Sequence, residues 1–212
     1  TQNLVDNYAV QKHQVGSSIK PLTVYSAALD AGAVTPATTF DNYPVELLNG
    51  TPWPKNSPNT YTGWTMIGEG VRRSINTIAV QTVQALGVAE SYAYATEKLG
   101  LSLVPEDMAV SPLGMGGLTY GLSTVEMAAA YASFANSGVY NSPKMYTEIR
   151  DSSGELILKN EGETHAAMKE TTAYFMNQML KSVVDAGTGT SAKFSGMTIA
   201  GKTGTTDDSR VR

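Results

Sequence analysis

The chain has 212 residues, of which 42% are hydrophobic and 16% charged, enough for one domain with a real core and too apolar for a disordered chain. Fifteen Lys and Arg against 19 Asp and Glu give a net charge of −4, and without a basic cluster this argues against a nucleic-acid partner. With no Cys and only His13 and His165 as histidines, disulfides, thiol catalysis, Cys-based zinc and multi-histidine metal sites are excluded.

No apolar run approaches the ~20 residues of a membrane span, and no signal peptide pattern opens the chain. Both ends read as interior sequence, so an excised piece of a longer protein is expected. Along the chain, Leu22, Tyr25, Ala28 and Leu29 recur at helical spacing and predict a helix over 17–30, with Pro21 in its first turn. Residues 33–63 are rich in Pro, Asn, Thr and Gly and read as one long structured loop, a kind that is usually functional. Met66, Ile67 and Val71 mark a second helical stretch. Two more helices are predicted over 76–86 and 89–99, each stopped by a glycine.

Ser123-Thr124-Val125-Glu126 has the form of a capping box; it opens an Ala-rich helix over 127–136 that ends at Gly138. A β-hairpin is predicted over 146–150 and 155–158. A helix over 171–184 has Phe175, Met179 and Val183 on one face, and a strand is predicted over 197–205. The sum is an α+β pattern dominated by helices.

Three short motifs stand in order: Ser17-Ser18-Ile19-Lys20, Ser74-Ile75-Asn76 and Lys202-Thr203-Gly204. A serine hydroxyl is a poor nucleophile at neutral pH and needs a base. Ser17 and Lys20 are three residues apart, so a helix puts them on one face. Lysine is a base only when neutral, and burial or a second cation such as Lys202 would depress its pKa. The Ser17 backbone N–H, at a helix start, is a candidate oxyanion donor. Each motif also has a blander reading: an N-cap followed by a solvated Lys, a helix cap, and a strand end with a Gly turn. Ser57-Pro58-Asn59 is a second S-x-N, in the Pro-rich loop. The conjunction in this order is far more specific than any member.

With Gln14 to Pro21, Trp53-Pro54-Lys55-Asn56, Leu113-Gly114-Met115-Gly116, residues 127–138, Gly187-Thr188-Gly189-Thr190 and Ala200 to Thr206, the chain resembles the transpeptidase domain of class A (bifunctional) penicillin-binding proteins over nearly all its length. Val15 departs from the Pro usual there. The resemblance implies a penicillin-binding-protein/serine β-lactamase-like fold with an incomplete antiparallel sheet over 1–212, its outer strands, glycosyltransferase domain and membrane anchor lying outside.

It further implies a serine D,D-transpeptidase. Ser17 would be the nucleophile, Lys20 its base and Ser74 a proton relay. Asn76 would hold Lys20 and the substrate amide, and Lys202 would supply positive potential. Thr203, Gly204 and Thr205 would bind the substrate carboxylate, with the Thr205 N–H as second oxyanion donor. Trp53, Tyr61 and Trp64 are candidate cleft residues, plain loop packing being the alternative. The implied partners are peptidoglycan stem peptides and β-lactams, at the extracytoplasmic face of the membrane, with no metal or cofactor. A D,D-carboxypeptidase, a serine β-lactamase and a penicillin-sensing or inactive scaffold are the alternatives; the excised piece itself is expected to be weakly active at best.

Overall fold

The structure is a computed structural model that describes residues 8–206. After a short strand β1 (Lys12–His13) the chain enters one continuous helical run. It begins as a tight 3₁₀ turn (Gly16–Ile19), widens to a π-turn (Pro21–Tyr25) and ends as α1 (Ser26–Asp30). The Lys20 N–H still reaches Ser17 O. Pro21 has no N–H to continue the ladder, which interrupts regular α geometry where the helix was expected to be uniform. Ile19, Leu22, Val24, Tyr25 and Ala28 are fully buried. A helix apolar on all sides belongs in the centre of a core, and Lys20 is carried into it.

Residues 33–66 are more regular than a loop. They hold β2 (Thr39–Asn42), β3 (Glu46–Leu48), β4 (Thr51–Trp53) and β5 (Gly63–Met66). β2 pairs with β5 and β3 with β4, both antiparallel. Local polar pairing, with Asn42 and Asn56 buried at its centre, orders a segment whose composition signalled only turns.

The helices then follow nearly as predicted: α2 (Ile67–Arg72), α3 (Asn76–Leu86) and α4 (Val88–Ala93), the last continuing as a π-turn (Tyr94–Lys98). A further helix α5 (Val110–Met115) was not predicted; Pro112 and Gly114 mask its period. Strand β6 (Leu122–Ser123) pairs with β1. The capping box forms: Ser123 Oγ accepts from Glu126 N, and the Glu126 carboxylate accepts from Ser123 N at 2.8 Å. It opens α6 (Thr124–Ala135). Strand β7 (Val139–Asn141) pairs with β10 (Thr164–Ala166), enclosing the predicted hairpin of β8 (Glu148–Arg150) and β9 (Leu156–Lys159).

The chain ends in α7 (Glu170–Ala186) and a 3₁₀ turn (Thr190–Ala192). The inward stripe of α7 is Met176, Met179, Leu180, Val183 and Val184, while Phe175 is half-exposed. The expected stripe of Phe175, Met179 and Val183 steps by four each time, which at 100° per residue drifts off the buried face.

One expectation about a strand is corrected. Residues 197–206, which carry Lys202-Thr203-Gly204, form no strand; a strand needs a ladder partner, and none of the described strands pairs with them. The mixed helix-and-strand architecture is as expected, and its antiparallel pairing takes the form, among the described residues, of five two-stranded pairs. One apolar cluster joins the central helical run, α2, α3, α5, α6 and α7. Each fully buried Leu or Ile in it is worth about 1.5–3 kcal/mol of transfer free energy. The three motifs sit where this helical core meets the polar β2–β5 segment and the end of the chain.

Candidate active site

Three backbone segments meet at glycines. A Cβ on Gly16, whose φ is +50°, would lie 2.1 Å from Thr205 O; a Cβ on Gly116 would lie 2.0 Å from Gly16 O. The chain before Ser17 is thus layered between the turn after α5 and the end of the Lys202-Thr203-Gly204 segment. No side chain larger than hydrogen fits between these layers. The Tyr131 hydroxyl donates to Ser18 O at 2.6 Å, tying α6 to the same turn.

The 3₁₀ geometry of Gly16–Ile19 places Ser17 and Lys20 one above the other, since three residues make one turn. Ser17 lines a cleft of about 930 Å³ together with Ser74, Asn76, Thr203, Gly204 and Thr205. Lys20 lies beneath it, fully buried. Its Nζ donates to Asn76 Oδ1 at 2.6 Å and to Ser74 O at 3.0 Å. The Ser17 hydroxyl makes no hydrogen bond among the described residues, so Lys20 is stacked with it but held by the second motif.

Burial first, and the Lys202 ammonium second, hold the Lys20 pKa well below the usual lysine range. Burial lowers Lys202 to about 8. Lys202 Nζ donates to Ser74 Oγ at 2.8 Å and to Thr203 O at 2.9 Å. Two lysines therefore reach Ser74, one at its carbonyl and one at its hydroxyl. Ser74 itself has φ +58°, a left-handed backbone that a serine rarely adopts. It turns the chain between α2 and α3 so that both its oxygens face lysines.

Asn76 is positioned by residues that no motif named. Its Nδ2 donates to Lys55 O at 2.7 Å, which leaves Oδ1 to face Lys20. Asn56 Oδ1 accepts from Asn76 N at 3.0 Å and Thr77 N at 3.2 Å, capping α3 from a distance. Asn56 is in turn held by Asn42 Oδ1 at 2.8 Å, which also accepts from the Thr77 hydroxyl at 2.6 Å. Trp53-Pro54-Lys55-Asn56 is thus a brace for Asn76. Its sequence signal was the family likeness of this Pro-rich run, which assigned no role to Asn56. Thr188 and Thr203 share a hydroxyl hydrogen bond of 2.6 Å at the cleft rim, which gives the Gly187-Thr188-Gly189-Thr190 turn its place.

Trp53 does not line the cleft, and neither do Tyr61 and Trp64. Trp53 lies in β4, paired with β3, and is not among the residues that line the cleft; Trp64 is 78% exposed. Tyr61 lines a separate, more apolar hollow of about 540 Å³ with Tyr43 and Lys55. Of the proposed residues, Ser17, Ser74, Asn76, Thr203, Gly204 and Thr205 converge on one cleft, with Lys20 and Lys202 below it and Trp53 elsewhere.

A family model described as the penicillin binding protein transpeptidase domain matches residues 2–210. The chain belongs to this family. The transpeptidase domain is 39% identical over 202 residues to penicillin-binding protein 1A of Clostridium botulinum, covering 91% of this chain and 24% of that protein. Penicillin-binding protein 4 of Bacillus subtilis is 30% identical over 203 residues, with 95% and 32% covered. The chain spans about a quarter of the length of the clostridial relatives it matches. Among solved structures, the D,D-transpeptidase domain of a peptidoglycan glycosyltransferase from Eggerthella lenta superposes with a TM-score of 0.80 at 25% identity, over 98% of this chain and 57% of that one. Penicillin-binding protein A of Mycobacterium tuberculosis, solved as an imipenem acyl-enzyme, gives a TM-score of 0.81 at 20% identity, over 95% and 50%. The transpeptidase domain has, among the described residues, no helix long and apolar enough to cross a membrane.

Proposed function

We propose that the chain is the catalytic part of a serine D,D-transpeptidase that cross-links peptidoglycan stem peptides and is acylated by β-lactams. The observation that carries this reading is the burial of Lys20 and the partners of its amine. A neutral amine has two N–H donors and one lone pair. Both donors have acceptors here, Asn76 Oδ1 and Ser74 O, and burial favours the neutral form. The lone pair is then free for the Ser17 proton.

Ser17 Oγ attacks the carbonyl carbon of the penultimate D-Ala while Lys20 Nζ takes its proton. The oxyanion that forms is met by the Ser17 and Thr205 backbone N–H groups. Neither is used in a hydrogen bond among the described residues. When the C–N bond breaks, the departing D-Ala amine takes a proton through the Ser74 hydroxyl, and an ester to Ser17 remains. The amine of a second stem peptide attacks that ester, loses its proton to the same relay and restores Ser17. The Lys202 ammonium, with the Thr203 and Thr205 hydroxyls, attracts the terminal carboxylate of the donor peptide or of a β-lactam.

The alternative with water as acceptor gives a D,D-carboxypeptidase from the same acyl-enzyme. An efficient β-lactamase needs a deacylating base, and no E-x-x-L-N run stands between Asn76 and Lys202. The greater length of the relatives supports a parent protein with further segments, anchored in the membrane and acting at its extracytoplasmic face. A fluorescent penicillin is expected to label the full-length protein covalently, and Ser17→Ala to abolish the label. Labelling that survives the substitution rejects Ser17 as nucleophile.

A further inference from the structure

The described wall of the cleft is one-sided in charge. Among the described residues no carboxylate lines it, and Arg73 is the one charged side chain that does. Arg73 precedes Ser74 and also lines a small polar recess that opens beside the cleft, where Ser57 is again shared and Asn56, Thr60 and Thr62 complete the wall. Its guanidinium is half-exposed and makes no hydrogen bond among the described residues. Among the described residues its one ionic contact is Glu69 at 3.7 Å. Glu69 is already taken by Arg72, at 2.6 Å, so two arginines share one carboxylate and the cluster keeps a net positive charge. Arg73 lines the cleft beside Ser74, and its planar guanidinium has a donor geometry that suits the two oxygens of a carboxylate.

The terminal carboxylate is already provided for by Lys202, Thr203 and Thr205. We propose that Arg73 is a specificity-determining residue that pairs with a second carboxylate of the peptide substrate, so that the site prefers a stem peptide bearing that free acid over its neutral carboxamide. This rests on the transpeptidase reading and adds a chemical selection to it. The carboxylate belongs either to the donor peptide, upstream of the scissile bond, or to the acceptor peptide that brings the amine.

The test uses the full-length enzyme and two pairs of synthetic peptides, each pair differing only as acid and carboxamide. In the first arm the pair are donors ending in D-Ala-D-Ala, and the acylation rate constant is read. In the second they are amine acceptors, and the partition of the acyl-enzyme between amine and water is read. In one arm the acid is expected to be favoured about tenfold, a ratio that corresponds to about 1.4 kcal/mol. Arg73→Gln is expected to bring that ratio to near one, and Arg73→Lys to keep part of it. Added salt should shrink the preference, since the pair is partly exposed. Each ratio is taken on one sample, so a loss of folded protein cancels. A ratio near one in both arms for the unsubstituted enzyme, or an unchanged ratio in Arg73→Gln, overturns the proposal. A full-length enzyme that no penicillin labels would strike the transpeptidase reading instead.

Discussion

Lys20 Nζ donates to Asn76 Oδ1 over 2.6 Å, although the two residues are 56 positions apart. The amide oxygen accepts from the amine in either protonation state and adds no charge of its own. Asn76→Asp would change that, because a carboxylate beside Lys20 favours the ammonium. The rising limb of the acylation pH profile is expected to move up by roughly one to three pH units. Stopped-flow acylation with a fluorescent penicillin across pH measures it. An unmoved limb would mean that Lys20 is not the titrating base.

Lys202 is expected to set the other limb. Its pKa is lowered to about 8 by burial, and in the proposed mechanism it attracts the substrate carboxylate only when protonated. Acylation is therefore expected to need Lys20 neutral and Lys202 charged, giving a bell-shaped profile of kcat/KM. It rises with pH as Lys20 loses its proton and falls as pH passes about 8. Lys202→Arg keeps the charge, and the falling limb should disappear or move far upward even if the maximum drops.

The layering of Gly16 predicts a steric effect. In Gly16→Ala the new Cβ lies 2.1 Å from Thr205 O, on a backbone with φ +50°. Both terms oppose the native arrangement, and a loss of about 2 kcal/mol or more is expected. Chemical denaturation reads the stability and penicillin labelling reads the site. Gly32→Ala is the control: its φ is +73° but nothing lies within 4 Å of a Cβ. It should lose stability without the disproportionate loss of labelling expected for Gly16→Ala.

Asn56 braces the second motif without entering the cleft. Asn56→Ala leaves the Asn76 and Thr77 N–H groups without their acceptor and removes a donor from Asn42. A cap of this kind is worth about 1–2 kcal/mol, and that loss of stability is expected in denaturant titration. Acylation should fall as well, because Asn76 orients Lys20. Normal acylation in a destabilised Asn56→Ala protein would limit Asn56 to a structural role.

Periodicity alone located α3 and α7, and the Ser123–Glu126 pairing announced α6, because helix starts and amphipathic stripes are local. The paired β2–β5 and β3–β4 strands were not legible, since their order comes from buried Asn42 and Asn56 bonding across the segment. The strand expected over 197–205 has extended-chain composition, but strand identity depends on neighbours that a local pattern does not contain. Phe175 went to the wrong face for a smaller reason, the drift of a four-residue step around a helix.

The sequence by itself determined which chemistry the protein can carry: a serine and a lysine one turn apart, followed by Ser74, Asn76 and Lys202 in a fixed order. Only the tertiary structure decided that Lys20 is fully buried, that Asn76 and Ser74 take its two donors, and that Arg73 rather than Trp53 faces the cleft. Spacing along the chain fixes which residue types can share a turn. Protonation and orientation depend on burial and on partners that only the folded chain brings together.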